Sequence, residues 1–213
     1  MKVIILAPLP PPVGGIATWA VRMQNARLKN GWSVHVVDEK LVGRSIHGDH
    51  NRKKFFVEAK RCLKIWRELR GALKDPEVKV VHACTPATTT AMLRDAVSAI
   101  ITHMKKRRYI IHFHCTIPTL MKSGPKLAAF RFLCSRSDFV LTLNRQSSDF
   151  VSKNTGTPNR IFPNFAEDSA IRQGRNRKYE KKLERVLYAG GITEEKGCAE
   201  IIAAAKSFPD IEF

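Results

Sequence analysis

Six short runs of β-branched and aliphatic residues alternate with longer stretches of helical periodicity, and this alternation limits the possible folds more than any other feature of the chain. The strand candidates are Val3–Ala7, Ser33–Val37, Val78–Ala83, Tyr109–His114, Asp138–Leu143 and Arg160–Phe162, with helical candidates at 16–30, 52–74, 87–105, 125–135 and 145–153. The pattern predicts an α/β domain over 1–165, a doubly wound parallel sheet covered by helices on both faces. The clearest helix sets Phe55, Ala59, Cys62, Leu63, Trp66, Leu69 and Leu73 on one face. Residues 166–184, AEDSAIRQGRNRKYEKKLE, are poor in apolar side chains and rich in lysine and arginine, and read as a basic linker. A second unit, 185–213, offers a strand at Arg185–Ala189, a helix at Lys196–Ser207 and the first residues of another strand at Asp210–Phe213. A lone β-α-β piece cannot bury both its faces. We therefore expect a truncated start of a second domain, the alternative being that a separate polypeptide supplies the rest.

Composition narrows the function classes. Hydrophobic residues make up 44% of the 213 and charged residues 26%, which rules against disorder and against a disulfide scaffold. The 37 Lys and Arg against 19 Asp and Glu give +18, a surface that draws phosphate groups on nucleotides, anionic lipids or nucleic acid. Nucleic acid is the weakest of the three, because the basic residues lack interleaved aromatics and no recognition motif occurs. The five cysteines show no C-x-x-C spacing, and the N-terminal apolar run is too short for a secretory signal. A cytoplasmic location is expected, with any membrane contact peripheral and at the inner face. The segment 52–74, with nine basic and two acidic residues, is the candidate for contact with an anionic membrane surface.

In a doubly wound sheet the ligand crevice opens at the carboxyl ends of the strands where their order reverses, between strands one and four in a 3-2-1-4-5-6 order. That order directs attention to Pro10-Pro11-Pro12-Val13-Gly14-Gly15 and to His112-Phe113-His114-Cys115. Gly14 and Gly15 precede a helix, so an anion can approach the backbone amides there without meeting a side chain. They serve equally as the end of a proline-stiffened turn. An NAD fingerprint is incomplete despite Asp38 at the end of strand two, since Thr18 stands where its third glycine belongs. A Rossmann-type oxidoreductase resting on Asp38 stays as the alternative. His112 and His114 share one face of their strand, with His114 nearer the crevice; the plain reading of the pair is satisfied interior histidines.

His82, Cys84, His112, His114 and Cys115 are all legal zinc ligands. In the order 3-2-1-4-5-6, however, strand three lies three places from strand four, about 14 Å at ~4.8 Å per strand. Zn–ligand bonds are roughly 2.0–2.3 Å, so no metal site is expected, and no cofactor.

Several segments resemble the GT-B glycosyltransferases of family 4: Pro10–Gly15, His112–Cys115, Ser137-Asp138-Phe139-Val140-Leu141-Thr142, Pro163-Asn164-Phe165, and Tyr188-Ala189-Gly190-Gly191-Ile192-Thr193-Glu194-Glu195-Lys196-Gly197. The resemblance covers 1–165 and 185–208, and rests on the order and spacing of these pieces. It implies a retaining glycosyltransferase that moves a sugar from a nucleotide-sugar to a glycan or lipid-linked acceptor, in polysaccharide or glycolipid biosynthesis. By the same resemblance Gly14 and Gly15 approach the donor diphosphate, His114 lines the cleft as the catalytic residue, and Lys196 neutralises the leaving diphosphate. Without it, Lys196 reads as a solvated first-turn residue. The family usually has arginine where this chain has Gly191.

Overall fold

The computed structural model describes residues 1–40, 53–122, 124–166, 171–172, 183–190, 192 and 194–213. The chain divides into two compact units, Met1–Asn164 and Phe165–Phe213. The first is built on six parallel strands: β1 (Lys2–Ala7), β2 (Ser33–Asp38), β3 (Val78–Thr85), β4 (Arg108–Phe113), β5 (Phe139–Thr142) and β6 (Asn159–Ile161). Its helices are α1 (Gly15–Asn25), α2 (Lys53–Ala72), α3 (Thr89–Met104), α4 (Ile117–Leu120), α5 (Gly124–Ser135) and α6 (Arg145–Asn154).

The spatial order is β2-β1-β3-β4-β5-β6, not the 3-2-1-4-5-6 read from the sequence. The physical reason lies in the second crossover. After β2 the chain passes back over β1 and lays β3 along the free edge of β1, instead of adding it outside β2. Both orders use the same succession of strands and helices, so periodicity cannot separate them. Two consequences follow for the site. The order now reverses between β1 and β3, and β3 lies directly against β4 with Cys84 opposite His112. The three-strand separation that set the zinc ligands apart does not hold.

Right-handed crossovers put a helix that leads leftward along the sheet on one face and those that lead rightward on the other. Ile4, Leu6, Val81, Ala83, Tyr109, Ile111, Phe113 and Val140 fill the face shared with α2, α3 and α5. The opposite face joins Val3, Ile5, Ala7 and Cys84 to Trp19 and Ala20 of α1. On α2 the buried stripe runs through Ile65, Leu69 and Leu73, with Cys62 and Trp66 half-buried. Leu63 falls off that stripe and is 64% exposed, which corrects its expected inward place; the side chain of Phe55 lies outside the described residues.

The second unit has less regular structure than its sequence pattern predicts. Among its described residues the strands reduce to one parallel bridge, Arg185 with Glu212. A 3-10 turn at Glu194–Lys196 leads through Gly197, at φ +75°, into α7 (Cys198–Ser207). No residue of α7 is buried. Most of the linker assigned to 166–184 lies outside the described residues.

Candidate functional site

The loop after β1 is tied down before it reaches the glycines. Asp38, at the end of β2, accepts hydrogen bonds on Oδ1 from the amides of Leu9 and Lys40, both at 2.9 Å. This is a structural use of the carboxylate on which the dinucleotide reading rests. Gly14 then forms the N-cap of α1 in extended backbone, with no side-chain cap, and its carbonyl accepts from the Thr18 amide at 2.8 Å. A Cβ placed on Gly14 or Gly15 would meet nothing within 4 Å. Neither packing nor φ demands glycine here; the two residues keep the amino end of an 11-residue helix open to solvent.

One turn further, Trp19 turns inward onto a cluster of histidines at the ends of the two neighbouring strands. Its ring centroid lies 5.0 Å from that of His82, 5.5 Å from His112 and 5.2 Å from His114. His112 stacks on His114 at 4.0 Å, and His82 Nε2 meets His112 Nδ1 at 3.3 Å. His112 is fully buried and His114 half-buried. The His114 amide donates to the Thr85 carbonyl at 3.3 Å, pinning the strand end.

Burial sets the charge state of all three rings. Desolvation lowers His82 to about 3 and His112 to about 2, with the other histidines adding repulsion. It lowers His114 to about 4 against the opposing influence of Asn164. The rings are neutral at physiological pH, each offering one donor and one lone pair. His112 Nε2 and His114 Nε2 are buried without a hydrogen bond of ordinary geometry, although the Phe162 backbone lies close enough to His112 to favour a proton there.

The segment after His114 is braced from α6. Asn144 caps that helix by accepting from the Ser147 amide at 2.9 Å and donates through Nδ2 to Thr116 Oγ1 at 3.3 Å. Ser147 Oγ in turn accepts from the Ile117 amide at 3.0 Å.

Sequence reasoning missed two neighbours of the site. The first is the Thr85–Thr88 segment after β3, which the observed order places beside the reversal; Ala87 sits there at φ +58° and Thr88 caps α3. The second is a buried charge cluster at the end of β2, where Arg94 Nη2 bridges Glu39 Oε2 at 2.8 Å and Asp95 Oδ1 at 2.6 Å. Arg61 binds the Glu39 carbonyl. Two carboxyls share one guanidinium, and burial pushes Glu39 up to about 8, with Arg94 opposing and Asp95 adding to the rise. The local pattern of apolar and charged residues carries no sign of either.

A surface concavity of about 360 Å³ lined by Arg131, Ser135, Asn154, Thr155, Gly156 and Thr157 lies at the carboxyl ends of α5 and α6. That is the edge where strands begin, opposite the histidines. Lys196 belongs to the second unit, exposed at the end of its 3-10 turn, with its carbonyl accepting from Tyr188 Oη at 3.2 Å. Gly191, the position that departs from the family pattern, lies outside the described residues.

No protein-family model matches the sequence, and no curated protein matches it. Among solved structures, HepE from Anabaena in complex with UDP and glucose is similar at 15% identity and a TM-score of 0.44, over 82% of this chain and 49% of that one. HepE in complex with UDP gives 0.45 over the same shares. Pyridoxal kinase from Leishmania donovani, in complex with ADP and pyridoxamine, gives 12% identity and 0.40 over 71% and 52%. The chain spans about half the length of each.

Proposed function

We propose that the chain is the acceptor-side domain, with the first part of a donor-binding domain, of a retaining glycosyltransferase acting on a nucleotide-sugar and a glycan or lipid-linked acceptor. One observation carries the reading: the helix whose amino end Gly14 and Gly15 leave open is the helix whose Trp19 packs on His114, so α1 links an open helix end to a neutral imidazole at the end of β4. In sugar transfer the anomeric carbon becomes cation-like as the diphosphate departs with negative charge. Amides at the start of α1 would stabilise the departing group, with no metal called for at the diphosphate. A neutral His114 orients a sugar or acceptor hydroxyl through its donor and its lone pair and is not the nucleophile. The order and spacing of the family-like segments support the same reading.

Among the described residues no helix is long and apolar enough to cross a membrane. On α2, exposed Phe56, Val57 and Leu63 lie among exposed Lys60, Lys64 and Arg67, the mixture that favours an anionic lipid surface and a lipid-linked acceptor at the cytoplasmic leaflet.

The test is a panel of nucleotide-sugars, scored for binding by calorimetry and, with the chain alone and with a cell extract that can supply the rest of a donor-binding domain, for turnover with lipid-linked and glycan acceptors. His114→Ala should retain the fold and lower turnover about 100-fold, the size of effect that lost positioning produces. Absence of binding to every nucleotide-sugar, or full turnover by His114→Ala, would overturn the proposal.

A further inference from the structure

The observed strand order brings together three side chains that a 3-2-1-4-5-6 order keeps apart. His82 and Cys84 lie two residues apart on β3 and so face the same side of the sheet, and Cys84 is directly opposite His112 of β4. One ligand atom from each of the three falls within 4.8 Å of the others, and all three residues are buried. We propose that His82 Nε2, His112 Nδ1 and Cys84 Sγ form a binding site for Zn2+, under the lid of Trp19.

The dimensions agree with this. A tetrahedral zinc ion with bonds of about 2.0–2.3 Å holds neighbouring ligand atoms roughly 3.3–3.6 Å apart. His82 Nε2 and His112 Nδ1 are already 3.3 Å apart, and the Cys84 sulfur, within 4.8 Å of a ring nitrogen of each histidine, has at most roughly 1.3 Å to close. The donors match in kind, since two neutral imidazoles and one thiolate suit a borderline-soft d10 ion.

The two ring nitrogens that face each other hold a single hydrogen bond between them, which a shared cation would replace with two metal–nitrogen bonds. On binding, the Cys84 thiol gives its proton to solvent and its sulfur lone pair to the metal. Three protein ligands leave the fourth position to water, as in open zinc sites.

The proposal does not depend on sugar transfer, and its test does not read activity. The full chain, stripped with a chelator, is titrated with Co2+, whose intense visible bands report tetrahedral geometry and whose near-ultraviolet charge-transfer band reports thiolate ligation; Zn2+ is then used in competition. Both bands should appear at one equivalent and be displaced by Zn2+. Cys84→Ser should abolish the charge-transfer band and weaken Zn2+ binding at least about 100-fold. Cys134→Ser, equally buried but outside the cluster, should keep both. Should Cys84→Ser fail to fold, a chain with Cys62, Cys115, Cys134 and Cys198 replaced by serine must still give the band. Co2+ binding without charge transfer, charge transfer that survives loss of Cys84, or no binding at one equivalent overturns the site.

Discussion

At the scale of single residues, two groups sit in environments that differ from what their type predicts. Gly15 opens α1 with free space of at least 4 Å around the position a methyl would take, and without left-handed backbone. Gly15→Ala should therefore leave the fold intact and raise stability by up to about 1 kcal/mol. If a diphosphate approaches those amides, the methyl should weaken nucleotide-sugar binding roughly ten- to a hundredfold, the cost of one charge-assisted hydrogen bond. Thermal melting and calorimetry on the one variant separate the two effects, and unchanged affinity would reduce the glycine pair to a turn. Glu39 gives a second case. Its folded value of about 8 stands above the ordinary carboxyl value. Between those two values the folded chain holds a proton that the unfolded chain has released, so stability falls as pH rises across the window and levels off above about 8. This is the reverse of a carboxylate whose folded value is depressed. The slope should reach about 1.4 kcal/mol per pH unit for one proton, and Glu39→Gln should flatten it in urea titrations from pH 5 to 9. The groups facing Glu39 are Arg94, Asp95, Arg61 and Asp38. Neither behaviour was legible in the sequence, because Glu39 follows Asp38 like any charged residue leaving a strand, and only the packing of α3 closes it in.

At the scale of elements, the strands and helices of the first unit were legible, except the four-residue α4, which is too short to show a period, because period-2 and period-3.6 patterns are written in local order. The order of the strands was not, since it depends on which edge of β1 receives β3. His82 and Cys84 show what that one ambiguity hides: two residues that a 3-2-1-4-5-6 order sets far from β4 lie against His112. His112 and His114 could be placed on one strand face by alternation, whereas Trp19, on a helix far back along the chain, gave no local sign of being their neighbour. The register of α2 was also only partly legible. Ile65 takes the inward place and Leu63 faces out among Lys60, Lys64 and Arg67. If that face meets anionic lipid, reversing the three basic residues to glutamate should release the chain from phosphatidylserine vesicles, weakening co-sedimentation by at least about 100-fold at ~1 kcal/mol per basic residue. Unchanged sedimentation would leave α2 as a solvated helix.

At the scale of the whole molecule, the two units differ in how much they bury. Unit one carries the buried strands β1, β3 and β4, while α7 of unit two buries no residue and its strands amount, among the described residues, to one bridge. Hydrogen exchange should accordingly be slowest in β1, β3 and β4 and faster in α7 by several orders of magnitude; equal protection would contradict that division. The strand order also governs what happens while the chain is being made. Once residue 38 has emerged, β1 and β2 can pair, but the other edge of β1, a run of fully buried Ile4, Ile5 and Leu6 in the finished protein, waits for a partner that begins at Val78. At ~5–20 residues per second, a gap of about 40 residues lasts roughly 2–8 s. For that interval the nascent chain would present an unpaired strand edge flanked by apolar side chains, so a chaperone that covers it, or a pause in translation timed to β3, should raise the yield of folded protein.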